Sequence, residues 1–225
     1  MPRYSIIIPT LNEEPNIHKL LTHLKNFNDD IEIIISDGRS TDDTIKIAES
    51  FNVTICNSQT GKGQQLNEGA KLATGKILIF LHADTFLPTN AFEIINDFFQ
   101  KDEIKIATFK LCFDSENIFM KLYCRFTEFD SMFTTFGDQA IVIKKDFFER
   151  SGGFPNFKIF EDVEFFRKVR KHTKIYKLPS EVITSSRRFY KKGIILTQLL
   201  NIYFFILYLL KVHPDKIYKK YFYDK

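Results

Sequence analysis

Two aspartates stand directly after apolar runs, where a carboxylate can bind a ligand or a metal. Asp84 follows the run Ile77–Leu81, and Asp37 follows the run Ile31–Ser36. Helix-patterned stretches flank these runs, which predicts strands buried in a parallel sheet. Open α/β sheets bind their ligands at the carboxyl ends of such strands. Because a buried, unpaired carboxylate is costly, we expect a metal, another cation or strong donors beside Asp84.

Each acidic position also has a plainer interpretation. Asp84 could cap the helix predicted after Pro88, although Thr89 or Asn90 is better placed to cap that helix. A further acidic pair, Glu161–Asp162, opens a helix predicted over residues 163–171. Such acids are often surface residues that the helix dipole favours. The residues themselves leave both alternatives open.

The elements that must position these acids alternate between strand and helix four times over the first 85 residues. This alternation predicts a doubly wound parallel sheet, in which the turns after the strands emerge at one edge. A helix predicted over residues 64–73 leaves Lys62 and Gly63 in the preceding turn. Late strands are predicted over residues 139–143, 175–178 and 182–185. The residues expected to converge around one crevice are Thr10, Glu13, Asp37, Lys62 and Asp84.

Composition excludes several classes of protein. The 225 residues are 44% hydrophobic, which is enough for a sizeable core. The net charge of +4 is too small to predict a nucleic-acid polymer as partner. Cys56, Cys112 and Cys124 lie far apart, which favours reduced thiols over a disulfide framework or a zinc site. No charged-then-apolar leader precedes the first predicted strand, so we expect a cytoplasmic protein.

Five segments resemble, in order and spacing, the family 2 glycosyltransferases of the GT-A fold. The resemblance covers about residues 3–190 and implies a Rossmann-like, mostly parallel sheet flanked by helices. It divides the domain 1–190 into a nucleotide-binding half over about 1–85 and an acceptor half over about 86–190. The chain is most similar to a short bacterial subgroup labelled arsenosugar-biosynthesis-type glycosyltransferases. The segments are SIIIPTLNEE, IIISDGRSTDDT, GKGQQLNEGAKLATG, ILIFLHADT and GGFPNFKIFEDVEFFRKVRK.

The resemblance implies a set of residues for a nucleoside-diphosphate sugar of the UDP or GDP type. The first loop lines the nucleoside pocket, and Asp37 accepts a hydrogen bond from the base. Ser36 departs from the commoner family form, which has an acid there. The two arginines are candidates for the diphosphate, although a solvated or lipid-facing basic patch is the alternative. The donor residues are Pro9, Thr10, Glu13, Asp37, Lys62, Gly63, Arg187 and Arg188.

The resemblance also implies a divalent cation, Mn²⁺ or Mg²⁺, and a general base. Asp84 matches the last acid of the family's DxD motif, while His82 replaces the first. His82 could bind Mn²⁺ or could support the site without touching the ion. Asp162, beside Glu161, matches the base that takes the proton from the acceptor hydroxyl. Asp138 lies where the family contacts the donor sugar or the acceptor.

These implications describe an inverting, metal-dependent glycosyltransferase acting on a hydroxyl-bearing small molecule or a lipid-linked acceptor. A nucleotide-sugar-binding or membrane-associated scaffold without catalysis is the alternative. Retention of the three acids, Asp37, Asp84 and Asp162, argues for the enzyme. A haloacid-dehalogenase-like phosphatase would need an acid at His82, and a nicotinamide dehydrogenase would need glycines after the first strand.

A C-terminal helical segment is predicted over residues 191–225. The run Ile194–Leu210 is nearly long enough to span a bilayer, but Gln198 and Asn201 interrupt it. It could pack on the domain, lie on a membrane surface, or span the membrane. A basic, aromatic helix is predicted over Pro214–Tyr223. Peripheral membrane contact through residues 191–223, at the inner face of the membrane, is the interpretation that we prefer.

Overall fold

A computed structural model describes residues 3–222, except for the side chains of residues 192, 221 and 222. Within this range eight strands form one sheet, in the order β3-β2-β1-β4-β7-β6-β8-β5. The strands are β1 Tyr4–Thr10, β2 Ile31–Asp37, β3 Thr54–Asn57, β4 Ile77–Phe80, β5 Thr85–Phe86, β6 Ile106–Phe113, β7 Ile141–Lys144 and β8 Tyr176–Thr184.

Ten helices surround the sheet in the described range. The helices are α1 Glu14–Lys25, α2 Thr44–Glu49, α3 Lys62–Leu72, α4 Ala91–Phe99, α5 Ile118–Phe126, α6 Lys145–Ser151, α7 Glu161–Val169, α8 Arg187–Lys192, α9 Ile194–Leu209 and α10 Pro214–Phe222. The predicted α/β architecture, a sheet flanked by helices, is confirmed. The predicted domain and the predicted C-terminal segment also include residues 1–2 and 223–225. These residues, among them Tyr223 of the predicted last helix, lie outside the described residues.

The sheet changes direction after its first four strands. The strands β3, β2, β1 and β4 are parallel neighbours, as predicted from the alternation of strands and helices. β7 runs antiparallel to β4, with Ile141 opposite Phe80. The turn that enters β7, Gly137–Gln139, therefore reaches the same edge at which β4 ends. This reversal brings the second half of the chain to the crevice of the first.

Several boundaries differ from the predictions for local reasons. α3 begins at Lys62 rather than at residue 64, because Gly61 (φ 151°) makes the turn and its carbonyl accepts the Gln65 N–H at 2.9 Å. The two predicted late strands are one strand, β8, whose pairing with β6 is shifted between Thr108 and Lys110. The predicted strand 139–143 starts at Ile141, since Gln139 belongs to a 3-10 turn.

Two apolar layers cover the sheet. Ile6 and Ile8 of β1 face one layer, while Ile7 faces the other, as the alternation of a strand requires. The second layer contains stacked phenylalanines; the ring centroids of Phe154 and Phe165 are 4.4 Å apart. Phe165 lies in α7, three residues after Asp162, and is fully buried. This aromatic layer fixes the helix on which Glu161 and Asp162 stand.

Glycine is required where α3 leads back into β4. A Cβ on Gly75 would lie 2.7 Å from the Tyr4 carbonyl carbon and 2.8 Å from the Ser5 nitrogen. We expect Gly75→Ala to destabilise the fold by about 2 kcal/mol, because backbone atoms of a central strand would have to move. Lys76→Ala is the matched control, because Lys76 is exposed. Urea unfolding measures both, and equal midpoints for the two variants would contradict this role of Gly75.

Candidate active site

The ends of β1 and β2 are tied together by one carboxylate. Asp37 is buried, and its Oδ1 accepts hydrogen bonds from the hydroxyls of Thr10 at 3.0 Å and Ser40 at 2.5 Å. Its Oδ2 accepts from the backbone N–H groups of Arg39 at 2.9 Å and Ser40 at 2.8 Å. Arg39 adopts φ 74°, which turns the loop back onto the carboxylate. Asp37 thus shapes the loop that follows β2.

A buried glutamine, which the sequence analysis did not single out, braces the same two strand ends. The Nε2 of Gln65 in α3 donates to the carbonyl of Thr10 at 2.7 Å and to that of Ser36 at 2.9 Å. Pro9, buried just before Thr10, pairs in register with Ser36. A polar residue inside a helix carries no periodic signal of burial, so the sequence pattern could not identify Gln65.

The first loop carries Glu13 to the crevice. Asn12 takes a left-handed conformation (φ 56°), and its Oδ1 accepts from the Thr41 N–H at 2.8 Å. The pKa of Glu13 lies above its ordinary value because burial disfavours its charge. A hydrogen bond from Asn16 opposes this rise, and the negative charge of Asp84 adds to it. Arg187 and Lys62 also act on this carboxyl and lower its pKa.

Lys62 is a cation whose charge acts on several titratable groups of the crevice. It lies in the first turn of α3, not in a loop as predicted, and its charge acts on Glu13, His82, Asp138 and Glu161. Next to it, a Cβ on Gly63 would lie 2.3 Å from the Pro155 carbonyl oxygen. Gly63 therefore allows the loop 153–157 to pack closely against the helix.

His82 and Asp84 follow the end of β4. His82 is half-buried, and burial together with Lys62 holds its pKa well below the ordinary value. The imidazole is therefore neutral near pH 7, the form that can bind a metal. Asp84 precedes β5, and its carbonyl accepts the Ser185 N–H at 3.2 Å. This contact joins the β4 end to the segment that carries the two arginines.

The second half of the chain contributes three further acids. The Oδ2 of Asp162 accepts the Gly137 N–H at 2.6 Å, and its Oδ1 accepts the Val163 N–H at 2.8 Å. A Cβ on Gly137 would lie 3.1 Å from the Asp162 Cβ, so glycine permits this close approach. Asp138 follows Gly137 directly, and Glu161 is buried beside Asp162.

Burial and mutual repulsion raise the pKa values of two of these acids. The pKa of Asp138 is raised to about 7 by burial and by the charge of Asp162, with Asp84 contributing less. The pKa of Glu161 is raised to about 7 by burial and by Asp162. Among the described residues, the buried Oδ1 of Asp138 has no hydrogen-bond partner. The crevice thus holds more negative charge than its own donors satisfy.

This charge pattern fits a hard divalent cation that also binds phosphate. In residues 3–222 no group of three or more histidine, cysteine, aspartate or glutamate side chains is arranged to hold a metal ion. Mg²⁺ is typically held by one or two carboxylates together with substrate phosphates rather than by a complete protein cage. Asp84 supplies such a carboxylate, and the unpartnered, buried oxygen of Asp138 lies among the same acids. The chemistry of the donors therefore fits Mg²⁺ or Mn²⁺.

The predicted arginine pair reaches the same crevice from β8. Arg187 and Arg188 open α8, and their charges act on Glu13 and Asp138 respectively. Guanidinium groups can bind phosphate oxygens through two hydrogen bonds. All the residues proposed from the sequence for the donor, the metal and catalysis thus lie at or beside one edge of the sheet.

Two more residues near the acids escaped the sequence analysis. Lys177 in β8 donates to the Gln139 Oε1 at 2.5 Å and to the Thr108 hydroxyl at 3.0 Å, and burial lowers its pKa to about 8. The pKa of Tyr123 in α5 is raised by burial and then by Asp138 and Asp162. Lys177 could have been noticed as a lysine within a predicted strand. Tyr123 could not, because its sequence context is that of any core aromatic residue.

The raised pKa of Asp138 predicts a pH-dependent cost to stability. Between pH 4 and pH 7 the folded state keeps a proton that the unfolded state has lost, so this contribution to stability declines as the pH rises. Asp138→Asn removes the titration. We expect the variant to gain on the wild type by about 2 to 3 kcal/mol from pH 5 to pH 8, because only the part of the pKa rise that lies above pH 5 falls within this window.

Thermal unfolding in the presence of a chelator measures this difference. Asp146→Asn is the control, because Asp146 is an exposed acid whose ion pair with Arg150 lies on the surface of α6. The raised pKa of Asp138 would be contradicted if the melting temperatures of Asp138→Asn and the wild type differed by the same amount at pH 5 and at pH 8.

Comparison with known proteins identifies the family of the chain. The family model described as glycosyl transferase family 2 matches residues 5–164. A PGL/p-HBAD biosynthesis glycosyltransferase of Mycobacterium bovis is 38% identical over 94 residues, which are 38% of this chain and 37% of that protein. The chain thus spans less than half of the length of this curated relative.

Solved structures share the fold. Staphylococcus aureus TarS 1–349 in complex with UDP superposes with a TM-score of 0.68 at 19% identity, over 81% of this chain and 60% of that one. A mannosyltransferase of Pyrobaculum calidifontis, in complex with GDP-Man and Mn²⁺, gives 0.65 at 20% identity, over 81% and 56%. With the family model covering more than half of its length, the chain belongs to glycosyl transferase family 2.

Proposed function

We propose that the protein is an inverting glycosyltransferase that moves a sugar from a nucleoside-diphosphate sugar to an acceptor hydroxyl, with a divalent metal. The observation that carries this proposal is the set of acids around Lys62, in which Asp138 has a raised pKa and an unpartnered oxygen. Such a site favours a cation, and a cation in turn favours a diphosphate. The acceptor is a small molecule or a lipid-linked molecule with a free hydroxyl.

The donor's nucleoside would occupy the loops after β1 and β2. Asp37 already accepts four hydrogen bonds from its own surroundings, so it holds the loop in shape and would share an oxygen with the base N–H. Thr10 and Pro9 form the floor beside it. UDP in one structurally similar protein and GDP-Man in another support a uracil or guanine nucleotide. Residues 1–85 would thus bind the nucleotide, and residues 86–190 the acceptor.

The diphosphate would lie between the acids and the basic residues. Asp84 would hold the metal, with the neutral imidazole of His82 as a second ligand or as a support. When bound, Mg²⁺ or Mn²⁺ stabilises the negative charge that grows on the leaving diphosphate. Lys62, Arg187 and Arg188 would add positive charge from the other side. Asp138 and Glu161, largely protonated below pH 7, could hydrogen-bond to sugar hydroxyls.

Asp162 would act as the general base. Both of its oxygens are oriented by backbone N–H groups and each retains a lone pair for the acceptor hydroxyl. As the acceptor oxygen bonds to the anomeric carbon, its proton passes to Asp162 and the bond from that carbon to the diphosphate oxygen breaks. One displacement from the face opposite the leaving group inverts the anomeric centre.

The subgroup resemblance belongs to the same proposal. The similarity to the subgroup rests on three short sequences: HAD at residues 82–84, GDQ at 137–139 and Arg-Arg-Phe at 187–189. They include His82, Asp138 and the two arginines, which lie at this crevice. We therefore keep the short arsenosugar-biosynthesis-type subgroup as the proposed relationship within the family.

A thermal-shift screen of UDP- and GDP-sugars in the presence of Mn²⁺ tests the donor assignment. A ligand that binds the folded state raises the melting temperature; saturation at 100 times the Kd corresponds to about 2.7 kcal/mol. We expect one of the two nucleotide classes to stabilise the protein. Absence of a shift with every donor would contradict the proposal and favour a scaffold.

Asp162→Asn separates catalysis from binding. We expect release of the nucleoside diphosphate from the selected donor to slow by about 10²- to 10⁴-fold, while the donor-induced thermal shift is preserved. Asp146→Asn, an exposed acid on α6, is again the control and should keep the full rate. Wild-type turnover in Asp162→Asn would exclude this residue as the base.

A further inference from the structure

The helix α9 presents an unusual outer face. Its side chains at intervals of three and four residues are between 43% and 67% exposed, and all of them are aliphatic. Leu196, Tyr203 and Leu210 widen the stripe on one side. A surface helix normally turns polar residues outward. The members of the central stripe are Ile195, Leu199, Ile202, Ile206 and Leu209.

The opposite side of α9 is already packed on the protein. Thr197 and Phe204 are buried, and the Phe205 ring lies 5.7 Å from that of Phe133 and 6.0 Å from that of Phe160. The Tyr208 hydroxyl donates to Glu164 Oε2 at 2.7 Å. The helix is therefore anchored through one face, and its apolar outer face is not explained by packing among the described residues.

A second helix also exposes an apolar surface. On α5, Ile118, Phe119, Leu122 and Phe126 are between 50% and 72% exposed. Phe113, at the end of β6, packs against Phe189 of α8 with ring centroids 5.3 Å apart. The hydroxyls of Ser115 and Tyr190 are 2.5 Å apart. These contacts, together with that of Phe133 with Phe205, connect the segments on either side of α5 to α8 and α9.

The charge around this surface is strongly positive. Residues 187–222 contain eight lysines and arginines and one acid, although the whole chain has a net charge of +4. The rest of the sequence is therefore net negative. The lysines at positions 191, 211, 216, 219 and 220 have exposed side chains. Lys211 directly follows the apolar stripe, and α10 carries the last three of these lysines beside it.

We propose that the outer face of α9, with the exposed face of α5, docks on a lipid bilayer that contains anionic lipids. Apolar residues would enter the boundary between headgroups and acyl chains, while the lysines contact the headgroups. No helix in the range 3–222 has the length and hydropathy needed to cross a bilayer, so α9 would lie along its surface. This inference does not depend on the proposed glycosyl transfer.

Charge decides between a bilayer and a second copy of the chain. Two copies that met through α9 would each bring the same cluster of lysines to the interface, and like charges repel. An anionic membrane attracts that cluster instead. Docking through α9 would also place the crevice near the lipid surface, because Arg187 and Arg188 lie on α8, directly before α9.

Vesicle co-sedimentation of the full chain tests the proposal. We expect binding to vesicles of phosphatidylcholine with phosphatidylglycerol, and weaker binding to phosphatidylcholine alone. Leu199→Gln with Ile206→Gln should lower the partition coefficient by at least about tenfold. Lys211→Gln with Lys216→Gln should weaken the preference for the anionic vesicles, because two of the five exposed lysines are removed. Leu72→Gln, at an exposed leucine on α3, is the matched control and should bind as the wild type does.

The melting temperatures of all variants should match that of the wild type, since the changed side chains point outward. Light scattering of the wild type without lipid should show a monomer. A wild-type dimer that becomes a monomer in the Leu199→Gln/Ile206→Gln variant would overturn the proposal in favour of a second copy of the chain. Absence of vesicle binding by the wild type, or equal binding by the Leu199/Ile206 variant, would also overturn it.

Discussion

The concentration of carboxylates at one edge of the sheet is the constraint on which the rest of the site depends. Asp84, Asp138 and Asp162 come from different parts of the sequence, yet each acts on the charge of another. Lys62 and the two arginines balance them incompletely, since Asp138 keeps a raised pKa and an unpartnered oxygen. Folding must therefore hold repelling groups together, and a cation with its diphosphate would relieve that repulsion.

Strand pairing and apolar packing hold these groups in place. The antiparallel β7 returns the chain to the edge where β4 ends, and the phenylalanine layer fixes α7 behind Asp162. Gly63 and Gly137 let backbone segments approach where a side chain would clash. The free energy of packing in the apolar layers thus offsets the electrostatic repulsion in the crevice, an arrangement that is common at functional sites.

Local pattern and family resemblance together predicted the parallel half of the sheet, the strand ends that carry Asp37 and Asp84, and the helix that begins at the Glu161–Asp162 pair. They could not predict what depends on contacts between distant segments. The antiparallel insertion of β7, the brace made by Gln65 and the buried Lys177 arise from such contacts. The sequence of α9 left its environment open for the same reason, because an apolar run fits both a packed helix and an exposed one. In the structure one face of α9 is packed on the protein and the opposite face is exposed.

The most direct test of the account is the coupling between metal and nucleotide. Calorimetry would measure the Kd of UDP or GDP, whichever stabilises the protein, with Mn²⁺ and with a chelator. A site that holds the ion jointly with the diphosphate predicts an affinity at least about tenfold higher with Mn²⁺, and loss of this difference in Asp84→Asn. Equal affinity with and without Mn²⁺ would contradict the central claim that the acids at this edge serve a cation shared with the diphosphate.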